Sequence, residues 1–171
     1  KIVFSGVGKT NAEIEYAIRK NILLINTETK SEILEIEKIA KTKKKIVNIG
    51  IRLNPNTDAQ TLSQISTGKK ANKFGVDQKI FLQLVKYIKK SKYLSLKCLS
   101  VHIGSQILSH KPYQNMIKVI EKTIKKSNHK FEYIDLGGGM GIKYNKNNKK
   151  LDYSKLSKNI FKFSKKNDCK I

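Results

Sequence analysis

"FSGVGKTNAE", Phe4 to Glu13, is the stretch on which the fold turns. Gly8-Lys9-Thr10 has the ending of a nucleotide-binding P-loop, which would make the chain a kinase or an ATPase. That loop wraps a phosphate in successive backbone N–H groups and needs a glycine five positions before Gly8. The position is Val3, inside the apolar run Ile2-Val3-Phe4, and Ser5-Gly6-Val7 alone is too short to encircle a phosphate. Thr10-Asn11-Ala12-Glu13 has instead the spacing of a capping box, in which the hydroxyl and the carboxylate each satisfy an N-terminal amide of a helix. The stretch therefore reads as a strand, a tight turn and a helix start.

The same unit recurs along the chain. Apolar runs bounded by turn residues at Ile2 to Phe4, Ile22 to Ile25, Ile46 to Leu53, Leu96 to Ile103 and Tyr133 to Leu136 predict strands. Helical periodicity fills the intervals. Ile14, Ala17 and Ile18 mark the first helix; Ile33, Ile36, Ile39 and Ala40 the second, behind a further capping box at Thr29 to Glu32; Ile80, Leu84, Val85 and Ile88 the third, behind Asp77. Tyr113, Met116, Ile117, Ile120 and Ile124 mark the fourth, Leu156, Ile160 and Phe163 the fifth, and their Met and aromatic members are expected in the core.

Strict alternation of strand and helix implies parallel strands with right-handed crossovers, hence an open doubly wound sheet or part of a (β/α)₈ barrel. A full barrel takes eight units and about 250 residues. The barrel alternative thus expects these 171 residues to be an incomplete barrel, in keeping with an opening directly on a strand and with a strand beginning at Cys169-Lys170-Ile171.

An apolar fraction of 39% is that of a globular domain with one sizeable core. No apolar run approaches the about 18 residues of a membrane span, no signal peptide is evident, and a cytoplasmic protein is expected. Cys98 and Cys169 are far apart, lack metal-ligand spacing and are expected as reduced thiols, with no metal site. The net charge of +23 raises a lysine-rich nucleic-acid-binding module as a rival. Yet only Arg19 and Arg52 are arginines, and the lysines are spread over every helix, the pattern of solvated faces.

"IDLGGGMGIKY", Ile134 to Tyr144, carries the chemistry. Three successive glycines directly after a buried strand leave backbone amides open to an anion with no Cβ in the way, so phosphate binding is the leading expectation. A dinucleotide fingerprint would need these glycines to open a helix at once, whereas a polar loop follows. One unit earlier, "SVHIGSQ" places His102 near a strand end with Gly104 and Ser105 just beyond. In a βα barrel such ends face the active site; an imidazole there can stack on an aromatic cofactor and a serine hydroxyl can donate to phosphate. Arg52, closing "IGIRLNP", must meet an anion or form a structural ion pair, because a guanidinium is costly to bury unpaired. His110 and His129 receive no role.

"FSGVGKT", "RLNPNTDAQT…ISTG…NKFG" (Arg52 to Gly75), "HIGSQ" and "DLGGGMGIKY", in this order and spacing, closely resemble the barrel domain of the diaminopimelate decarboxylases, pyridoxal-phosphate enzymes of the alanine-racemase-like fold. The resemblance spans essentially the whole chain. It implies conversion of meso-2,6-diaminopimelate to L-lysine and carbon dioxide in lysine biosynthesis, with pyridoxal 5′-phosphate as electron sink, in a homodimer free of nucleic acid and membrane. By motif it implies that His102 stacks on the pyridine ring, that Ser105 and the amides of Gly138 and Gly139 hold the phosphate, and that Arg52 lies near the phenolic oxygen. Ser5, Gly8 and Lys9 match family features without an assigned role.

The resemblance also implies what these residues lack. The family's cofactor-bonding lysine lies on a first strand preceding Lys1, its Glu-Pro-Gly-Arg motif falls after Ile171, and its carboxy-terminal β domain contributes a cysteine and a tyrosine. Residues 1–171 are thus expected to be an incomplete, by itself inactive, pyridoxal-phosphate-binding barrel domain with no catalytic residue of its own. A related ornithine- or arginine-type decarboxylase is the alternative within the same fold.

Overall fold

The computed structural model describes residues 1–59, 74–144 and 150–171. The central part of the Arg52 to Gly75 motif and part of the polar loop after Lys143 lie outside the described residues. Among the described residues ten elements alternate: β1 (Val3–Phe4), α1 (Asn11–Arg19), β2 (Leu24–Thr27), α2 (Lys30–Thr42), β3 (Val47–Arg52), α3 (Gln78–Ile88), β4 (Leu94–Ser100), α4 (His110–Ser127), β5 (Tyr133–Asp135) and α5 (Tyr153–Asn167). All neighbouring strands pair in parallel, in the order β1-β2-β3-β4-β5. A doubly wound sheet reverses its order part-way; this one never does.

The curvature follows from one hydrogen bond. Asn26 on β2 donates through Nδ2 to Asp135 Oδ2 at the end of β5, at 3.0 Å. In a flat sheet these strands would lie about 14 Å apart, three inter-strand spacings, beyond the joint reach of the two side chains. The sheet is therefore curled into a half-barrel, with its helices outside. Ser5 accepts from the same Asn26 amide at 3.0 Å, and Ser100 donates to the same Asp135 oxygen at 3.1 Å, so a polar cluster spans the concave face. The apolar faces of the helices pack against the outer side, burying Ile14, Ile33, Ile36, Phe81, Leu84, Met116, Ile120, Leu156 and Phe163 with Ile49, Ile51, Leu99 and Ile134.

Gly50 is needed where β2, β3 and β4 crowd on the concave side. A Cβ there would lie 2.1 Å from Asn26 Oδ1 and 2.9 Å from Cys98 Cβ. At this point the β3–β4 register also shifts, pairing Gly50 with Cys98 directly after Ile49 with Leu96. Gly50→Ala should cost about 1–3 kcal/mol by overpacking. Urea unfolding checks this, and a midpoint equal to wild type would show that Asn26 can yield.

Local chemistry explains most boundaries, and several differ from expectation. Thr10 and Glu13 form the full capping box, and Asp77 caps α3 by accepting the Ile80 amide at 2.8 Å. At Thr29 only half the box forms. The hydroxyl takes the Glu32 amide, but the Glu32 carboxylate accepts instead from the Glu28 amide at 2.7 Å and from Lys9 at 2.7 Å. On α3 the buried stripe is Phe81, Leu84, Val85 and Ile88, and Ile80 is exposed, because the larger aromatic ring takes the core position.

Strand β2 lies two residues later than Ile22 to Ile25, since Asn26 and Thr27 are buried polar residues whose partners, Ser5, Asp135 and the Gly50 carbonyl, come from elsewhere in the chain. Strand β4 begins at Leu94 and ends at Ser100, so His102 lies just beyond the ladder. Lys170 forms a parallel bridge to Tyr133, which extends the sheet at Cys169-Lys170-Ile171.

Candidate functional site

Parallel strands of sequential order place every strand-to-helix loop at one end of the half-barrel. The motifs "HIGSQ" and "DLGGGMG" meet there. Asp135 closes β5 and accepts the Gly137 amide through Oδ1 at 2.9 Å, while its Oδ2 is held by Asn26 and Ser100. The chain then passes through Gly137, Gly138 and Gly139 with φ of 74°, 68° and 78°. Three consecutive left-handed residues are open only to glycine without strain.

The two motifs are joined by backbone contact. A Cβ on Gly137 would lie 2.2 Å from the Val101 carbonyl oxygen, and one on Gly139 1.9 Å from that of Gly104. Ile107 donates its amide to the Gly139 oxygen and accepts the Gly141 amide, both at 3.0 Å. The side-chain amide of Gln106 closes the seam, donating to the Ile142 oxygen at 2.6 Å and accepting the Ile142 amide at 3.2 Å. Of the three successive glycines only Gly138 faces open space, with no described atom within 4 Å of its Cβ direction. The outer glycines thus serve close approach, and the middle one borders the opening.

His102 is half-buried, and its Nδ1–H donates to the Gly137 oxygen at 2.7 Å, which fixes the ring beside the glycine loop. Ser105 is exposed on the turn after Gly104. The amides of Gly138 and Gly139 find no acceptor among the described residues, so both remain available to an anion. A side chain at Gly139 would strike the Gly104 carbonyl before it could meet a phosphate.

Arg52 stands in a different setting. Its Nη1 pairs with Glu28 Oε1 at 2.7 Å, its guanidinium lies 5.3 Å from the Phe74 ring centre, and Glu28 Oε2 accepts the Gly75 amide at 3.2 Å. The pair continues through the Glu28 amide to Glu32 and on to Lys9, whose side chain is only 2% exposed. Lys9 also donates to the Gly6 oxygen. The lysine of the P-loop-like stretch is thereby bound within the fold, and the loops after β1, β2 and β3 are tied together.

Three contributors escaped the sequence reading. Tyr113, expected in the core, is buried there, yet its hydroxyl donates to the Gly138 oxygen at 2.9 Å. Burial, and secondarily Tyr153, pushes its phenol up to about 12, so it remains a neutral donor. Asp135 carried a signal, since it directly precedes the glycines. Glu28 carried none beyond being an acid at a strand end. His129 lies at the other end of β4, bonded to the Leu96 oxygen at 3.0 Å and edge-on to Phe131, with burial lowering its pKa.

The Cys98 thiol, buried on the concave face, is pushed by desolvation and secondarily by Asp135 from 9.0 up to about 12. A group held neutral by the fold but free to ionise when unfolded gives stability that is complete below pH 9.0 and lost as pH rises toward about 12. The unfolding free energy from urea titration should therefore fall between pH 8 and pH 10 by up to about 1.4 kcal/mol per pH unit above the unfolded pKa, and the fall should shrink in Cys98→Ala. An equal fall in both proteins would assign the effect to other groups.

The family model for the pyridoxal-binding domain of pyridoxal-dependent decarboxylases matches residues 1–169. The chain belongs to this family. As its pyridoxal-binding domain, the chain is 39% identical over 150 residues to a diaminopimelate decarboxylase of Campylobacter jejuni, covering 86% of this chain and 37% of the relative. It is 43% identical over 147 residues to that of Helicobacter pylori strain J99, covering 84% and 36%. The crystal structure of the Helicobacter pylori diaminopimelate decarboxylase complexed with L-lysine superposes with a TM-score of 0.87 at 37% identity, over 99% of this chain and 44% of that one. A Chlorella virus arginine decarboxylase, at 19% identity and a TM-score of 0.73, shares the fold. The chain thus spans little more than a third of the length of the curated relatives that it matches.

Proposed function

We propose that this domain holds pyridoxal 5′-phosphate at the seam of the two motifs, and that the protein carrying it decarboxylates meso-diaminopimelate to L-lysine in lysine biosynthesis. The carrying observation is that the amides of Gly138 and Gly139, without acceptors among the described residues, lie beside an imidazole whose ring is fixed by the Gly137 oxygen. Free amides suit a phosphate, and a fixed ring suits an aromatic face. The residues therefore fit the group.

In this reading the Gly138 and Gly139 amides and the Ser105 hydroxyl bind the phosphate, His102 supports the pyridine ring, and Arg52, buttressed by Glu28, lies toward the phenolic oxygen. Bound pyridoxal phosphate supplies the electron sink for the pair left on carbon when carbon dioxide departs. The role of this domain is to bind and orient; the substrate-contacting groups belong to the rest of the protein, which acts as a cytoplasmic homodimer without nucleic-acid or membrane partners. The identities near 40% to two diaminopimelate decarboxylases support that branch over ornithine- or arginine-type enzymes.

The test is to supply the full-length protein with pyridoxal phosphate and, separately, meso-diaminopimelate, ornithine and arginine. Lysine and carbon dioxide should form from the first alone. Turnover of ornithine or arginine without turnover of diaminopimelate would overturn the branch while leaving the cofactor site intact.

A further inference from the structure

Each carbonyl of the triple glycine is held by a donor from the β4–α4 unit. The Gly137 oxygen accepts from His102 Nδ1, the Gly138 oxygen from the Tyr113 hydroxyl, and the Gly139 oxygen from the Ile107 amide, at 2.7, 2.9 and 3.0 Å. No peptide among the described residues is cis. In a trans peptide the C=O and the following N–H point in opposite directions, so fixing a carbonyl also aims the next amide. The Tyr113 hydroxyl, by drawing the Gly138 oxygen toward α4, turns the Gly139 N–H away from α4.

We propose that Tyr113 is a positioning residue for the phosphate site: its hydroxyl sets the orientation of the Gly138–Gly139 peptide and so pre-aims the Gly139 amide at the anion. Glycine makes this necessary, because a residue without Cβ loses the most conformational freedom on ordering and leaves its peptides free to rotate. Tyr113 provides a rigid anchor, since it is 2% exposed and sits in the buried stripe of α4 with Met116, Ile117 and Ile120. An amide already aimed before the ligand arrives spares the cost of ordering it at binding.

The inference rests on the cofactor reading above, and its test separates the two. Full-length apoprotein, wild type and Tyr113→Phe, is titrated with pyridoxal 5′-phosphate and with pyridoxal, which lacks the phosphate. Loss of the hydroxyl should weaken pyridoxal phosphate binding about tenfold, the scale of one buried acceptor left unmade, and leave pyridoxal binding unchanged. Equal weakening for both ligands, or none for either, would reduce Tyr113 to a packing residue and overturn the inference. A wild type that does not prefer pyridoxal phosphate to pyridoxal would overturn the phosphate site itself. A second measurement needs no variant: the backbone amide resonance of Gly139 in the wild type should shift on addition of inorganic phosphate, and an unmoved resonance would mean that the peptide faces elsewhere.

Discussion

Gly139→Ala will cost the fold several kcal/mol, whereas Gly138→Ala will leave the fold nearly intact and impair the proposed anion site. Both positions have positive φ, so each alanine incurs about 1–2 kcal/mol of backbone strain. They differ in what the methyl meets. At Gly139 it would lie 1.9 Å from the Gly104 carbonyl oxygen, a backbone atom that no rotamer change can move aside. Relief requires parting the "HIGSQ" and "DLGGGMG" loops, which would also strain the Ile107 hydrogen bonds. Overpacking of this kind adds about 1–3 kcal/mol or more. At Gly138 no described atom lies within 4 Å, so only the φ term applies, and the methyl projects into the space open to a ligand. Urea unfolding of the full-length apoprotein with a pyridoxal phosphate titration gives both readouts. Equal stability of the two variants would mean that the seam is looser than the contact implies.

The second large effect concerns Glu28. Its carboxylate, 6% exposed, faces the Arg52 guanidinium in a pocket roofed by Phe74. Breaking a buried pair by removing one partner costs about 3–5 kcal/mol, because the remaining charge loses its compensation in a poorly solvated site. Glu28→Ala should fall in that range, and Glu28→Gln nearer its lower end, since the amide still accepts the Gly75 N–H but not as a charge. Replacing both partners with apolar residues, Glu28→Leu with Arg52→Met, should recover most of the loss. A cost below about 1 kcal/mol for Glu28→Ala would place the pair with solvent-screened surface bridges. The same variants probe Arg52 as a cofactor contact, because the double variant restores stability without restoring a guanidinium.

Periodicity and capping spacing made the βα succession legible, with Thr10, Asp77 and the stripe of α4 where they were expected. Alternation alone did not choose between open sheet and barrel, since both repeat the same unit; the motif resemblance chose the barrel, and that choice is borne out by the curl of the sheet. The curl rests on Asn26 reaching Asp135, two polar residues far apart in sequence whose partnership no local pattern marks. The same polarity displaced β2 from its expected position: Asn26 and Thr27 look like the end of a strand until their partners are known. At the site, the glycine run and His102 were readable because their residue types are unusual after buried strands. Tyr113 was hidden by being a good core residue, as a phenol that packs along its ring leaves no sequence trace of what its hydroxyl holds.

The Asn26–Asp135 bond joins residues 109 positions apart, whereas each strand otherwise pairs with its immediate successor in the chain. Contacts between successive units involve short loops and form early, and a contact closing so long a loop forms after them. The curl of the sheet is therefore expected to form late in folding, with Asp135, which holds the first glycine amide, acquiring its Asn26 partner only then. Asn26→Ala should accordingly raise the unfolding rate while leaving the folding rate almost unchanged, the signature of an interaction absent from the transition state. The glycine loop would then be the last part of the domain to be assembled and the first to be lost.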